Sequence, residues 1–539
     1  MVSEVKAETI GRAARRDLQI AVPVRPAVRR GVRLRQVGDS VMLDGSDRPQ
    51  VFTGGFARES LVRLVAACDG TATHAELADA VGLDEAAVYK SVALLWASGV
   101  LEEGVPGDDD KSVPPEFACF LSRLGNSTGA NRSWTDSAAR LARSAVRLTG
   151  DRLLVEAATR AFGGVCDVVV DADGRRTAEN ELVVFFETSE SQPELAGLQH
   201  RCWAENRPLL RVRADATSLV VGPYVDPSFT PCLQCGTSGE GKLSGNPPER
   251  AHDLVAGLVA HHVVALVSRA TMTHLPLDAS VIDLTTLSTK YRASATRAGC
   301  PTCSFSEGPE ASSPPACSAY EAAVAIPPRR FLDPKGHLAH YQSSNIRLQS
   351  EFREWPSCPQ VPLPDPDVSR LAGAHRRAAS ERRAAIGLDD VGLLLKVAFG
   401  IRDQSSDGWV KRWTAAAGNI GSATAYLVSR DESVLPVGVY AYNERDHALA
   451  QLSTSVPPGD RRLLLVVTGN LKKVVRKYGT FGLRLALLDA GCALTSAREV
   501  AEHVALDFSL DKDWDDDSLS EHLGISPDEE PVAAVMGLG

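Results

Sequence analysis

Four cysteines in two matched pairs carry the clearest chemistry in the sequence. The segments PCLQCG and GCPTCS place Cys232 beside Cys235, and Cys300 beside Cys303. In such a pair a short turn lets two thiolates face one ion, and four thiolates close the tetrahedral shell of a structural Zn²⁺. Four unrelated buried cysteines, or two redox pairs, are the alternatives. The spacing predicts a structural zinc site.

A lysine and a tyrosine stand side by side in RKYGTFGLRLALLDAG, just before an apolar helical segment. Lys477 can act as a base only where burial, or a nearby cation such as Arg484, favours its neutral form, and Tyr478 can then relay the proton. The alternative is that Tyr478 is a core aromatic residue and Lys477 a surface charge. The pair is a candidate for acid–base catalysis.

Two further segments suit a flat, phosphorylated cofactor. Arginine forks bind phosphate in a bidentate manner, and a polar cluster precedes a helical segment: Arg376, Arg377, Ser380 and Arg382. An exposed, solvated turn is the alternative for these arginines. Small residues let a backbone approach a flat ring closely, and the loop AAAGNIGS offers four candidates: Gly418, Asn419, Gly421 and Ser422.

A nucleotide-binding loop is not predicted. The segment GTSGEGKL fits part of a phosphate loop, but Leu243 follows where a serine or threonine would bind Mg²⁺, and a cysteine pair precedes it where a strand is required. The strand-like runs VCDVVVDA, ELVVFFET and PLLRVRAD indicate an α/β core. None of them is followed by the glycine pattern of dinucleotide-binding folds.

Length and composition limit the number of domains and the class of protein to which these candidate residues belong. A chain of 539 residues predicts about three to four domains, and Pro-rich stretches near residues 110 and 310 separate three regions. The net charge of −10 argues against general nucleic-acid binding. We find neither an apolar run of about 18 residues nor a signal peptide, so we expect a cytoplasmic protein with reduced cysteines and no membrane partner.

In residues 1–104, short β-prone runs precede three helical segments, and caps at Thr73 and Asp84 open the last two. This order predicts a winged helix. DNA binding is the weaker interpretation, because the last helix begins with two acidic residues and carries only Lys90. The region resembles the peptide-recognition domain of ribosomal peptide biosynthesis, which captures a precursor's leader by strand addition. Nine Lys/Arg against three Asp/Glu in residues 1–35 suit an acidic leader, with a solvated basic tail as the alternative.

Residues 116–304 resemble the degenerate ubiquitin-activating-enzyme-like (ocin-ThiF-like) proteins, most clearly over GPYVDPSFTPCLQC. Those proteins present precursor peptides to azoline-forming cyclodehydratases. The resemblance implies a zinc-bearing scaffold with a cyclodehydratase partner, and not a catalytic domain.

Residues 319–539 resemble the SagB-type azoline dehydrogenases of the FMN nitroreductase superfamily, which oxidise thiazolines and oxazolines in ribosomal peptides to thiazoles and oxazoles. The resemblance rests on Lys477-Tyr478-Gly479, on LLDAG, on PVGVYAYN and on the C-terminal Glu-Pro to Gly segment. It implies FMN, a homodimer with the flavin at the interface, and Lys477 and Tyr478 as the catalytic pair.

Several positions depart from that family's pattern. Phe481 stands where an arginine is usual, Cys492 stands where a histidine is usual, and Ala378 and Ala379 stand where the flavin-phosphate motif has arginines. Weaker or different flavin binding, or a different substrate, would follow from these departures.

The sequence therefore predicts a multidomain α/β and α+β protein with a winged helix, a degenerate α/β zinc-bearing scaffold and a nitroreductase-like α+β flavin domain. The expected activity is FMN-dependent oxidation of azoline rings in a precursor peptide whose leader is recognised in cis. The alternatives are a non-catalytic adaptor that delivers the precursor to a cyclodehydratase, and a flavin oxidoreductase that acts on another bond of the peptide.

Overall fold

The computed structural model describes residues 6–15, 20–45, 50–104, 113–124, 129–170, 180–270, 278–324, 343–372, 386–404 and 409–538. They fall into two compact units, the first within residues 5–338 and the second from residue 339 onward. The first two predicted domains therefore share one unit.

The N-terminal part of the first unit packs helices against short antiparallel strands. Its helices are α1 (Ala7–Ala14), α2 (Val62–Ala67), α3 (His74–Val81) and α4 (Glu85–Ala97). Its strands are β1 (Pro26–Val28), β2 (Arg33–Val37), β3 (Ser40–Asp44), β4 (Gln50–Phe52) and β5 (Leu101–Glu103). β2, β3 and β4 form one sheet in that order, and β1 pairs with β5.

The caps predicted from sequence open the helices. Thr73 and Glu76 form a reciprocal capping box at the start of α3, and Asp84 accepts the backbone N–H of Ala87 at 2.7 Å at the start of α4. Alternate residues of β3, Val41 and Leu43, face inward and are buried against the helices. The three predicted helices and the strands that precede them are thus confirmed.

A seven-stranded sheet forms the rest of the first unit. Its helices are α5 (Pro115–Leu124), α6 (Trp134–Ala142), α7 (Arg152–Ala161), α8 (Gln192–Ala204), α9 (Leu233–Gly236), α10 (His252–Ser268) and α11 (Ala316–Ala323). Its strands are β6 (Ser144–Gly150), β7 (Asp167–Val170), β8 (Asn180–Glu187), β9 (Leu209–Ala214), β10 (Ser218–Val225), β11 (Asp278–Asp283) and β12 (Thr289–Ala293). The order is β12-β11-β10-β9-β8-β6-β7, parallel from β7 to β9 and antiparallel beyond.

Helix α10 belongs to the core of this α/β layer. Val255, Val259 and Val263 are buried in one cluster with residues of α6, α7 and the sheet. By length and composition alone, residues 249–268 could cross a membrane, but half of that stretch is buried inside the protein. A core helix explains its apolar character.

The two parts of the first unit meet at a buried carboxylate on β5. Glu102 accepts the hydroxyl of Ser122 at 2.7 Å and the backbone N–H of Trp134 at 3.2 Å, and Arg29 lies 3.9 Å away. Burial raises the pKa of Glu102, although Arg29 opposes that effect. The N-terminal part is therefore packed on the α/β part rather than joined only by a linker.

The second unit is an antiparallel sheet with helices on both faces. Its helices are α12 (Ser343–Gln349), α13 (Leu388–Phe399), α14 (Leu471–Tyr478), α15 (Gly482–Val504) and α16 (Asp516–Leu523). Its strands are β13 (Gln360–Pro362), β14 (Ile401–Gln404), β15 (Val410–Arg412), β16 (Ala423–Ser429), β17 (Gly438–Asn443), β18 (Ala448–Ser453), β19 (Leu463–Gly469), β20 (Phe508–Leu510) and β21 (Val532–Leu538). The main sheet runs β13-β18-β17-β16-β19-β21-β20, and β14 pairs with β15.

Both faces of this sheet are buried, which explains its continuous apolar strands. α13 and α15 cover one face, where Leu427 and Leu465 alternate inward. α16 packs on the other face against Val428 and Val466. The chain as a whole is thus a multidomain α/β and α+β protein, as its sequence predicts.

Candidate functional site

The four predicted metal ligands come together in the first unit. Cys232 precedes the single-turn helix α9, which contains Cys235, and the second pair lies on a turn after β12. The Sγ atoms of Cys232 and Cys300 are 3.7 Å apart, and those of Cys235 and Cys303 are 3.6 Å apart. All four sulfur atoms lie within 4.8 Å of one another.

This spacing fits a tetrahedral ion and not a disulfide. Four Zn–S bonds of about 2.3 Å place the sulfur atoms roughly 3.8 Å apart, whereas a disulfide brings two of them to about 2.05 Å. Hydrogen bonding with Cys232 lowers the pKa of Cys303 to about 5. The hydrogen bond with Cys303 raises the pKa of Cys232, and burial raises that of Cys235, so the cluster by itself favours one thiolate, the form that binds metal, at Cys303.

The backbone around the second cysteine pair is tightly constrained. Gly299 has a φ of +68°, and a Cβ at this position would lie 2.5 Å from the carbonyl oxygen of Pro309. The backbone N–H of Arg297 donates to Sγ of Cys235 at 3.4 Å, and its guanidinium donates to the carbonyl of Ala311 at 3.2 Å. These contacts fix the turn that presents the second pair.

The N-terminus of α7, where a nucleotide phosphate binds in many α/β folds, holds a carboxylate of the chain itself. Asp151 accepts the N–H groups of Leu153 and Leu154 at 3.0 and 3.1 Å, and Thr188 donates its hydroxyl to the other oxygen at 3.0 Å. The segment GTSGEGKL continues into neither a strand nor a helix. Neither feature favours nucleotide binding.

In the second unit, the predicted acid–base pair forms the end of α14. Lys477 and Tyr478 are its last two residues, and 8% and 6% of their surfaces are exposed. Nζ of Lys477 donates to Oδ1 of Asn345 and lies 5.1 Å from the centre of the Tyr478 ring. Burial, with a contribution from Asp489, raises the pKa of Tyr478 to about 12. Lys477 is therefore not a surface charge, and the phenol is protonated at neutral pH.

Asp489 of α15 holds the loop Ala415–Ser422 at two points. Its carboxylate accepts the backbone N–H of Ala417 at 2.8 Å and the hydroxyl of Ser422 at 2.5 Å. Burial raises the pKa of Asp489. The helix that follows the Lys-Tyr pair therefore also positions the loop of small residues.

Helix α12 joins the pair to the loop through two buried amides. Asn345, which accepts from Lys477, also donates from Nδ2 to the carbonyl oxygen of Gly418 at 3.4 Å. One turn later, Oε1 of Gln349 accepts from Nδ2 of Asn419 at 3.0 Å. Lys477 and the loop thus belong to one polar cluster.

Several predicted cofactor contacts have partners within the chain. Nδ2 of Asn419 also donates to the carbonyl of Val410 at 2.6 Å. At Gly421, a Cβ would lie 2.3 Å from the Arg412 guanidinium carbon. Residues 416–419 are nonetheless half-buried rather than enclosed. Part of the loop surface is therefore open to a ligand, although the N–H of Ala417 and the carbonyl oxygens of Gly418 and Gly421 already have partners within the chain.

Two groups of predicted cofactor contacts remain, namely Arg484 and the residues predicted for the phosphate. Arg484 is half-buried in the first turn of α15. The residues predicted for the phosphate lie outside the described part of the chain: Arg376, Arg377, Ser380 and Arg382, together with Ala378 and Ala379.

Two of the departures from the family pattern lie on or near α15. Phe481 is buried, and its ring centre is 6.5 Å from that of Tyr478. Cys492 is exposed on α15. Phe481 therefore makes an aromatic contact with the catalytic candidate Tyr478.

Lys473 is a functional candidate that its sequence context did not reveal. It lies four residues before Lys477, on the same face of α14, and only 5% of its surface is exposed. Its Nζ is 3.5 Å from the carbonyl oxygen of Gly421, and it lines a cavity with Glu351 and Glu444. Burial, opposed by Glu444, lowers the pKa of Lys473 to about 8. The sequence signal that could have indicated it is the i,i+4 spacing of Lys473 and Lys477 on one face of the helix LKKVVRKY.

No protein-family model matches the sequence, and no curated protein matches it. Among solved structures, one is a heterocyclase in complex with substrate and cofactor. The similarity covers 52% of this chain and 39% of the heterocyclase chain, with 17% sequence identity and a TM-score of 0.40. MccB of E. coli matches 52% of this chain and 97% of its own, with 11% identity and a TM-score of 0.42. A nitroreductase from Anabaena variabilis matches 35% of this chain and 40% of its own, with 21% identity and a TM-score of 0.28. These are partial similarities of fold, and the function is argued below from the residues.

Proposed function

We propose that the chain is an FMN-dependent azoline dehydrogenase that oxidises thiazoline or oxazoline rings of a ribosomally made precursor peptide. The observation that carries the proposal is the buried pair Lys477 and Tyr478, joined through Asn345 to the loop Ala415–Ser422. A buried amine and a protonated phenol beside an accessible loop of small residues suit proton transfer at a flat ring.

Aromatising an azoline removes a proton from one ring carbon and a hydride from its neighbour, and forms one carbon–carbon double bond. Bound FMN would supply the hydride acceptor. Neutral Lys477 would accept the proton at Nζ, and Asn345 would orient that atom. Tyr478, whose pKa is raised to about 12, serves as a hydrogen-bond donor and not as the base.

The loop would pack its small residues against the flavin ring. The Asn419 amide nitrogen and the Ser422 hydroxyl already have partners within the chain, while Gly418 and Gly421 place no side chain in the way. Arg484, predicted from the sequence, would be the cation that favours neutral Lys477. The phosphate would be bound by the predicted cluster of Arg376, Arg377, Ser380 and Arg382.

The first unit would deliver the peptide. β2 is an edge strand of its described sheet, and four of its five residues are exposed, which suits addition of a leader strand. Arg33 and Arg35 on that strand are exposed and suit an acidic leader, which would compete with Asp44, now 3.2 Å from Arg35. The cysteine cluster would hold structural Zn²⁺, and a cyclodehydratase would be the partner that supplies azolines. A homodimer and a cytoplasmic location belong to the same proposal.

A non-catalytic adaptor is the second candidate, because Asn419 and Ser422 direct their polar groups into the protein and Phe481 is apolar. The visible absorption spectrum of the purified protein separates the two functions. A yellow protein that removes two hydrogens per azoline ring supports the dehydrogenase. A colourless protein that binds the leader supports the adaptor.

A further inference from the structure

Three arginines of the first unit converge on one carboxylate. Arg211 and Arg213 are alternate residues of β9, so their side chains share a face of the sheet. Arg292 lies on β12. The carboxylate of Glu240 accepts from Arg211 at 2.8 Å, from Arg213 at 3.1 Å, and from Arg292.

Glu240 places a buried side chain in a partly exposed loop. The segment 237–248 forms no helix or strand, and Gly239 and Gly241 on either side of Glu240 are exposed. A Cβ at either glycine would meet no atom within 4 Å. The Glu240 side chain, by contrast, is only 8% exposed. Besides these ion pairs, the Ser238 hydroxyl donates to the carbonyl oxygen of Ser312 at 3.0 Å and the backbone N–H of Ser244 donates to Asp215 at 3.2 Å, so Glu240 is one of several attachments of the loop.

The arginines need this carboxylate for charge balance. Glu187 pairs with Arg211 at 2.5 Å, and Asp215 lies 3.9 Å from Arg213, so two acidic groups remain for three guanidiniums once Glu240 is set aside. In addition, Nε of Arg292 is buried and has no hydrogen-bond partner in the described structure. The cluster therefore has an unused donor, and it would carry one uncompensated positive charge if Glu240 moved away.

We propose that Arg211, Arg213 and Arg292 bind an oxyanion of a ligand, either a carboxylate or a phosphate, and that Glu240 occupies the site when the ligand is absent. Guanidinium forks match both oxyanions. Arg213 and Glu187 lie near the carboxyl ends of β9 and β8, where open α/β sheets bind ligands. The site is independent of the proposed flavin chemistry.

Because Glu240 competes with the ligand, only molecules with an open loop can bind, and the apparent affinity falls by the open fraction. Removing the carboxylate should remove this competition. The test uses the full chain as wild type, Glu240→Gln and the exposed-loop control Lys242→Gln. Calorimetry at constant ionic strength measures binding of inorganic phosphate, of tri-glutamate and of tri-glutamine as the uncharged control peptide.

We expect Glu240→Gln to bind phosphate or tri-glutamate at least about tenfold more tightly than wild type and Lys242→Gln. Adding Arg292→Gln should abolish the gain. A gain for phosphate alone identifies a free phosphate, and a gain for tri-glutamate alone identifies a peptide carboxylate. Absence of saturable binding in Glu240→Gln, or equal affinity in all three proteins, contradicts the proposal.

Tryptic cleavage after Lys242 in the wild type provides a second test that does not depend on a variant's folding. The same oxyanion should accelerate cleavage, because it displaces Glu240 and releases the loop, while tri-glutamine should not. Unchanged or slower cleavage at saturating anion would overturn the proposal.

Discussion

The cysteine cluster and the Lys477 site are assembled in opposite ways. In the first, each pair of ligands lies within one turn of the chain, and only the meeting of the two turns requires the fold. In the second, Lys477 reaches Asn345 across 132 residues, and Asp489 holds a loop 72 residues away at Ala417. A site made of local turns can therefore be predicted from the sequence. The chemistry of a site made by packing depends on which residues the fold buries together, and the sequence does not show this directly.

The largest effect is expected at the cysteine cluster. Cys232→Ser leaves three thiolates, so zinc content should fall from about one per chain and soluble yield should fall with it, because metal binding contributes to folding. Elemental analysis measures the metal. Cys317→Ser, at an exposed cysteine, is the matched control and should retain zinc. A stable, zinc-free wild-type protein would show that the cluster is not a metal site.

The second effect concerns catalysis by the buried pair. Lys477→Ala should keep the protein folded and yellow but lose about 10²- to 10⁴-fold in azole formation, the usual range for a general base, and Tyr478→Phe, which removes a hydrogen-bond donor, should also lose activity while it stays folded and yellow. Lys472→Ala is the control, because Lys472 is exposed and pairs with Glu529 at 2.8 Å. Loss of flavin from the Lys477 variant would point to a binding role instead.

A third prediction concerns delivery of the leader. Reversing both charges of β2, with Arg33→Glu and Arg35→Glu, should raise KM for the full precursor about tenfold, equivalent to roughly 1.4 kcal/mol of binding. A leaderless core peptide should be unaffected, and Arg63→Glu on α2 is the control. An equal change for both substrates would contradict leader binding at this strand. Deleting residues 1–104 is a poorer test, because it removes Glu102 from its buried partners Ser122 and Trp134.

Asn345 provides a smaller and more specific test. Asn345→Leu removes the acceptor for Lys477, and should lower kcat about tenfold while shifting the rise of the pH–rate profile to lower pH. Asn345→Asp places a carboxylate beside the ammonium, and should shift that rise to higher pH. Opposite shifts identify a positioning residue. Parallel losses without any shift would indicate only structural damage.

The smallest effect is on the pH dependence of stability. Burial lowers the pKa of Lys473 from 10.5 to about 8, so between these values the unfolded chain binds a proton that the folded chain has lost. Stability should therefore rise with pH in this window. Lys473→Met should flatten that rise relative to wild type in denaturant titrations of the free energy of unfolding. Identical curves would show that Lys473 titrates normally.

Much of the fold could be predicted because its signals are local. The Thr73 and Asp84 caps, the apolar runs of β8 and β9, and the cysteine turns each fix their own backbone within a few residues. The roles of Asn345, Asp489 and Lys473 could not be predicted. The i,i+4 spacing of Lys473 and Lys477 indicates a shared helix face but no role, and a lone amide such as Asn345 has no role in the sequence until packing removes water from it and brings a distant partner within hydrogen-bond distance.

The same limit explains the loop of small residues. Its composition predicts a backbone that a flat ring could approach, which stays a prediction, and the neighbours that the structure shows at Gly421 and Asn419 are Arg412 and Gln349 of the chain itself. Composition identifies where a backbone is exposed to close contact. It does not identify which group makes that contact.

The visible spectrum of the purified full chain, recorded before and after addition of an azoline-containing precursor without an electron acceptor, tests the central claim most directly. The proposed function predicts a flavin spectrum that bleaches as the peptide loses two hydrogens per ring by mass spectrometry. A flavin-free protein, or a bound flavin that the peptide leaves oxidised while its rings remain azolines, would contradict it.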